Sequence, residues 1–281
     1  ITYNWKADKF QGIITTHKSL YALLNTMHDN YPLETSDRML LKDDPAVDTT
    51  IYELFGWMFS GSSLLISAPQ IEMEVPSFLN LVRDNNITHL HASSWYFSLL
   101  LAHLRTVIED SHLSKLKHVV LSDANVDADL IKLYKQLGLK AKLITLFGHT
   151  ETTTYESHKL HDFSNETAQS TTIGKPFIGN RFYVLDSNLA LVPDGTVGYL
   201  YTSGTQLADG YLNNSKLTSE KFIANPYGDE KYKRLYKTGD LARWSTPGSI
   251  ELVGREDLQV KYKDYRIDLD AIASALKTHD S

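Results

Sequence analysis

Apolar positions in the first half of the chain recur with two different periods. Leu20, Leu23, Leu24 and Met27 fall at i, i+3, i+4 and i+7, which lines them up on one face of a helix with Thr16 as its N-cap. Short apolar runs at 63–67, 87–91, 117–121 and 142–147 have the length of buried strands instead. Helical patterns separate them over 77–84, 95–108 and 128–137. The last of these carries Asp127 as N-cap, apolar Leu130, Leu133, Tyr134 and Leu137, and Gly138 as a stop. A parallel crossover needs a helix-length connection, so this alternation predicts βαβ units and a parallel sheet.

The pattern changes near residue 165, around Asn-Glu-Thr. From Thr171 to Thr202 β-branched and aromatic residues dominate, punctuated by Gly174-Lys-Pro176, Asp186-Ser-Asn188 and Pro193-Asp-Gly195. Such turns between short strands predict an antiparallel sheet or barrel. A strand over 258–262 and a helix over 269–276 follow, and two elements without partners cannot form a core. The expected organisation is α/β: a parallel βαβ part over 1–165, an antiparallel β-rich part over 166–256, and the truncated start of a small subdomain over 257–281.

Composition narrows the classes. With 281 residues, 42% of them hydrophobic, the chain can bury the core of one large or two modest domains. A net charge of -6 argues against a nucleic-acid surface, which usually needs a basic stripe. No apolar run reaches membrane-spanning length and the N-terminus lacks a signal-peptide pattern, so no membrane role is expected and the cytoplasm is the default compartment. The absence of cysteine removes disulfides and thiolate metal sites. His89 and His91 stand at i, i+2 on a predicted strand, an arrangement expected of a packed or solvated pair before a metal site.

Five motifs then occur in order. They are Thr16-His-Lys-Ser-Leu20; Val47-Asp-Thr-Thr-Ile-Tyr-Glu-Leu-Phe55; Leu146-Phe-Gly-His-Thr-Glu-Thr-Thr153; Gly198-Tyr-Leu-Tyr-Thr-Ser-Gly204 with Ala208-Asp-Gly-Tyr211 and Leu217-Thr-Ser-Glu-Lys-Phe222; and the stretch from Leu235-Tyr-Lys-Thr-Gly-Asp240 to Gly254-Arg-Glu-Asp257. Together they resemble the adenylation domains of nonribosomal peptide synthetases, members of the AMP-forming adenylate superfamily. The third is similar to that family's aromatic-Gly-Pro-Thr-Glu-Thr-Thr loop.

The resemblance implies a chemistry. A carboxylate attacks the α-phosphate of ATP, and the acyl group passes to phosphopantetheine on a carrier domain. Positioning and charge neutralisation supply most of such catalysis. By resemblance Glu151 holds Mg²⁺ and Thr150 meets the α-phosphate; Asp240 accepts the ribose hydroxyls, Phe147 stacks on adenine and Arg255 meets ribose or phosphate. Asp257 falls at the family's hinge. Asp48 matches the acid that holds a substrate ammonium, and Thr49, Tyr52, His91, Val120, Ser122, Leu146 and Thr154 match the rest of the acyl pocket. Taken singly the same residues have plainer readings: Asp240 shaping a turn, Glu151 capping a helix, Thr49 and Tyr52 packing at a helix start. Condensation and peptidyl carrier domains of one synthetase are the implied partners, with a small helper protein a further one.

The departures point the other way. The family's phosphate loop is rich in Ser, Thr and Gly and ends Gly-x-Pro-Lys-Gly, so that consecutive N–H groups form an anion nest. Here the run is Asn4-Trp-Lys-Ala-Asp-Lys-Phe-Gln-Gly12, where Trp5 and Phe10 add bulk, Asp8 adds negative charge and Gln11 replaces the lysine. Ser122-Asp-Ala124 replaces a Gly-rich turn beside adenine, and Asp264 replaces a glycine near the hinge. The sequence stops before the place where the family carries its C-terminal lysine. The expectation is a degenerate adenylation domain acting as a structural platform; the alternative is a working amino-acid-activating domain of which this is a fragment. An acyl-CoA synthetase or luciferase-like relative is a third reading, which Asp48 disfavours.

Overall fold

A computed structural model describes residues 1–6, 9–107, 112–122, 126–163, 172–246, 248–257, 259–262, 265–268, 272 and 276. The chain starts with a hairpin, β1 (Thr2–Lys6) and β2 (Lys9–Ile14). Then follow α1 (His17–Asn30), β3 (Arg38–Leu41), α2 (Thr50–Phe55), β4 (Ser63–Ile66), α3 (Val75–Asp84), β5 (His89–Ala92), α4 (Ser94–Leu104), β6 (His118–Leu121), α5 (Ala128–Gln136) and β7 (Lys142–Phe147). β8 (Ser157–Leu160) and β9 (Lys175–Pro176) complete a seven-stranded sheet in the order β4-β3-β5-β6-β7-β8-β9. Its first five strands are parallel and its last two antiparallel.

Side-chain alternation along these strands divides the core in two, because successive residues of a strand point to opposite faces. Leu40, Val119, Leu121 and Leu143 pack with Phe78 of α3, Leu100 of α4 and Leu130 of α5. Their neighbours Met39, Val120 and Ile144 pack on the other face with Leu23 and Met27 of α1 and Tyr52 of α2. Helices on both faces are what a parallel sheet requires.

Local signals set the helix ends. The Thr16 side chain accepts from the Ser19 N–H and Asp127 from that of Leu130, both as anticipated. Gly138, at φ 61°, lies just past α5. Helix α3 starts two residues earlier than its apolar pattern, with Pro76 in its first turn, where a missing N–H costs nothing. Helix α4, capped by Ser93, ends at Leu104 rather than 108. Strand β3 was not legible in the sequence: four residues are too few to display a period, yet it pairs with both β4 and β5. His89 and His91 are both buried. His89 Nε2 lies 2.7 Å from His118 Nδ1, and burial pushes both rings down to about 4, so the pair is neutral at neutral pH.

The second half is antiparallel, as its turn-rich pattern predicts. Strands β10 (Asn180–Leu185), β11 (Gly198–Gly204), β12 (Gly210–Tyr211), β13 (Phe222–Ala224), β14 (Arg234–Thr246) and β15 (Ser249–Arg255) follow, with α6 (Ser215–Lys221) between β12 and β13. A five-stranded sheet runs β10-β11-β14-β13 with β15 on β14. Strand β12 leaves it to pair with β2, making a three-stranded sheet with the first hairpin. Finally β16 (Gln259–Tyr262) and β17 (Tyr265–Asp268) form their own hairpin. The expected boundary near 165, the turn at 123–124, Asp264 and the helix over 269–276 lie outside the described residues.

Candidate active site

The candidate residues gather where β7 leaves the parallel sheet and meets the antiparallel part. After Phe147 the chain turns sharply. A Cβ on Gly148 would lie 2.3 Å from the Thr154 carbonyl oxygen and 2.6 Å from Tyr155 Cα, so only glycine allows this approach. A short 3-10 turn over Thr150–Thr152 follows. Thr153 and Thr154 then take the left-handed conformation at φ 57° and 72°, which is strained for β-branched residues. Side-chain bonds hold them: Thr153 Oγ1 donates to the Gln206 carbonyl at 2.7 Å and Thr154 Oγ1 to that of Asp48 at 3.1 Å.

Three sequence candidates meet directly at this loop. Thr150 Oγ1 donates to Asp48 Oδ2 at 2.5 Å, while Thr154 binds the Asp48 backbone. Desolvation by the surrounding protein, reinforced by the nearby Glu151 charge, raises the Asp48 pKa despite the opposing Thr150 bond. Glu151 is buried and accepts from the Tyr211 hydroxyl at 2.8 Å. Its backbone carbonyl accepts from the Ala208 N–H at 2.9 Å, so β12 and the loop before it are anchored to this carboxylate segment.

The remaining acyl-pocket candidates are spread over the sheet face under α1 and α2. Tyr52, Val120 and Leu146 share one apolar cluster with Tyr155 and Phe177. Ser122 bonds back to the Ala92 carbonyl and Thr49 Oγ1 to Asp43 Oδ2, each at 3.5 Å. His91 is committed to an ionic network: the Tyr155 hydroxyl lies 2.6 Å from its Nε2, and Glu53 Oε1 and Asp43 Oδ2 lie 3.6 and 3.8 Å from its Nδ1. Burial works against the charged ring, but Asp43 and Glu53 outweigh it and raise the His91 pKa. Asp43, Glu53 and His91 have the donor types of a metal site. The Lys42 ammonium, bonded to Asp43 and 3.5 Å from Glu53 Oε1, already supplies a cation there.

On the other side of the loop stands Asp240. It pairs in register with Arg255 across β14 and β15. Arg255 Nη1 donates to Asp240 Oδ1 at 2.6 Å, and the same guanidinium grips Asp257 through Nε at 2.6 Å and Nη2 at 3.0 Å. Gly239, at φ 86°, leaves room for that guanidinium, since a Cβ would lie 2.9 Å from Nη2. The second Asp240 oxygen, Oδ2, lies 2.9 Å from His149 Nε2. The opposite ring nitrogen, Nδ1, lies 3.1 Å from Glu156 Oε1. Burial alone would lower the His149 pKa; bonds and charge from Asp240 and Glu156 override it and push it up to about 9, so the ring is an imidazolium at neutral pH. Phe147 lies edge-on to His149, with ring centroids 5.2 Å apart.

The structure brings the sequence candidates Asp240, Arg255 and Asp257 into contact, and Asp48 with Thr150 and Thr154. Sequence reasoning overlooked His149, Tyr155, Glu156 and Tyr211. Histidine in place of the motif proline was the one available signal. Both Asp240 oxygens lie within hydrogen-bond distance of basic side chains, Arg255 and His149, and residues 2–6 pair with residues 9–13. The register runs from Thr2↔Ile13 to Lys6↔Lys9, where the expected phosphate loop would lie.

A parallel sheet covered on both faces, followed by an antiparallel part and joined by a Gly-containing Thr-Glu-Thr loop, is the architecture of adenylate-forming enzymes. Residues 11–212 match the family described as AMP-binding enzyme, and the chain belongs to that family. It is 33% identical over 276 residues to vanchrobactin synthetase VabF of Vibrio anguillarum, covering 95% of this chain and 10% of that protein. It is also 33% identical over 270 residues to a dimodular nonribosomal peptide synthase of Bacillus subtilis (strain 168), covering 96% of this chain and 11% of the relative. The chain therefore spans about a tenth of these relatives. The crystal structure of the nonribosomal peptide synthetase FmoA3 (S1046A) in its AMPPNP-bound form superposes with a TM-score of 0.81 at 25% identity, over 90% of this chain and 27% of that one. Among the described residues no helix is long and apolar enough to cross a membrane.

Proposed function

We propose that this chain is the core of a nonribosomal peptide synthetase adenylation domain whose ATP-dependent activation is impaired, and that it serves as a structural platform between condensation and carrier domains. One observation carries the reading. The segment that would wrap a triphosphate is an antiparallel hairpin with register pairs Asn4↔Gln11, Trp5↔Phe10 and Lys6↔Lys9. The extended backbone of these paired residues sends successive N–H groups in opposite directions, unlike the converging groups of a glycine nest. ATP, where bound, supplies the adenylyl group that activates a carboxylate. In this chain Asp48, Thr150, Glu151, Asp240 and Arg255 hold the positions that would orient it, and Glu151 is the carboxylate placed for Mg²⁺.

Retention of those same residues favours a second reading, a working amino-acid-activating domain, and the similar FmoA3 structure is an AMPPNP-bound form. Pyrophosphate exchange by the intact parent protein, screened over proteinogenic amino acids and common aryl and keto acids, separates the two. Absence of exchange with all of them is expected; robust exchange with any one defeats the platform reading.

A further inference from the structure

We propose that His149 is an internal stopper for the sugar end of the nucleotide site: bridging Asp240 and Glu156, it takes the Asp240 oxygen that a ribose hydroxyl would otherwise use. The inference rests on the placement of Asp240 in that site and adds a residue to which the family motif assigns proline.

The geometry is closed on every side. Asp240 is 5% exposed, so an incoming hydroxyl must displace a group that is already there. Arg255 on β15 holds Oδ1 at 2.6 Å, and His149 holds Oδ2 at 2.9 Å. Glu156 is fully buried and keeps His149 in place from behind at 3.1 Å. Its other oxygen, Oε2, has no hydrogen-bond partner, so the imidazole is the carboxylate's one neutralising contact among the described side chains. The backbone fixes the ring further, because the His149 N–H donates to Thr152 Oγ1 at 3.1 Å and Glu156 N–H to the Phe147 carbonyl at 2.8 Å. The rings of Phe147 and Tyr236 lie edge-on to that of His149, with centroids 5.2 and 5.8 Å away. An ion bridging two buried carboxylates is expensive to remove, since each loses a charge-assisted bond in a medium where water cannot replace it.

The test compares binding of AMP with that of dideoxy-AMP, which lacks both ribose hydroxyls, by calorimetry on the intact protein. In the natural sequence the two ligands bind alike, because Asp240 is occupied. In His149→Ala, AMP gains about tenfold over dideoxy-AMP, the scale of one hydrogen bond to a charged acceptor. Removing the imidazole leaves Glu156 unpaired, so H149A/E156Q is measured beside it to keep the fold intact. Unchanged discrimination in a folded variant overturns the proposal, as does loss of AMP binding or its absence in both proteins. Pyrophosphate exchange by the parent protein would defeat the platform reading alone, because a working site that carries this stopper would still gain AMP discrimination on its removal.

Discussion

The Tyr211 hydroxyl donates to Glu151 Oε1 at 2.8 Å, across 60 residues of chain. Tyr211 lies on β12, which pairs with β2, so this bond ties the first hairpin to the Thr-Glu-Thr loop. Both residues are buried. Tyr211→Phe removes the donor and leaves a buried carboxylate oxygen short of a partner. A loss of about 1–3 kcal/mol is expected, read as a lower urea midpoint with an unchanged m-value.

Stability should also fall in alkaline solution through His149. Its folded pKa is raised to about 9 from the model-peptide value of 6.5. The folded state therefore holds the proton more tightly, and the stabilisation is complete below about pH 6.5 and disappears as pH rises through about 9. The shift corresponds to about 3 kcal/mol. Urea unfolding across this interval should give a steeper decline for the natural sequence than for His149→Gln, which cannot titrate. Parallel curves would refute it.

Gly148→Ala would place a methyl group 2.3 Å from the Thr154 carbonyl oxygen and 2.9 Å from the Glu156 nitrogen. These are backbone atoms and cannot swing aside. The expected loss is about 3 kcal/mol or more, with the near-ultraviolet circular dichroism of the native state weakened in soluble protein.

Helix α4 offers an internal control. Leu100 is 0% exposed and Leu99 40% exposed, one residue apart. Leu100→Ala should cost about 2–5 kcal/mol by opening a cavity against α3 and α5, whereas Leu99→Ala should stay within about 0.5 kcal/mol. Equal effects would contradict the packing described here.

Gly239→Ala tests the Arg255 clamp. The backbone there is left-handed at φ 86°, and the new methyl would crowd the Arg255 guanidinium. A cost of about 1–3 kcal/mol is expected. Combining it with Arg255→Lys should give less than the sum of the two single effects, because the lysine removes the group that is crowded.

Much of this was legible before any fold was known. The i, i+3, i+4, i+7 pattern of α1, the Thr16 and Asp127 caps, the strands β5, β6 and β7, and the Gly-Asp and Gly-Arg-Glu-Asp motifs each depend on residues within a few positions of one another. Such signals survive in a sequence because a helical turn or a cap is a local object. What tertiary structure alone decided is where the distant partners fall. Strand β3 gains its identity only from two neighbouring strands. Val120 and Val119 point to opposite faces by strand alternation, and both are buried because helices cover both sides of the sheet. Strand β2 pairs with β1 on one side and with the distant β12 on the other. His149, legible as an odd residue in a motif, meets Asp240 from 91 positions away. A hydrogen bond between groups so far apart in sequence has no local cause; it exists because the packed sheets bring the loop after β7 within 3 Å of strand β14.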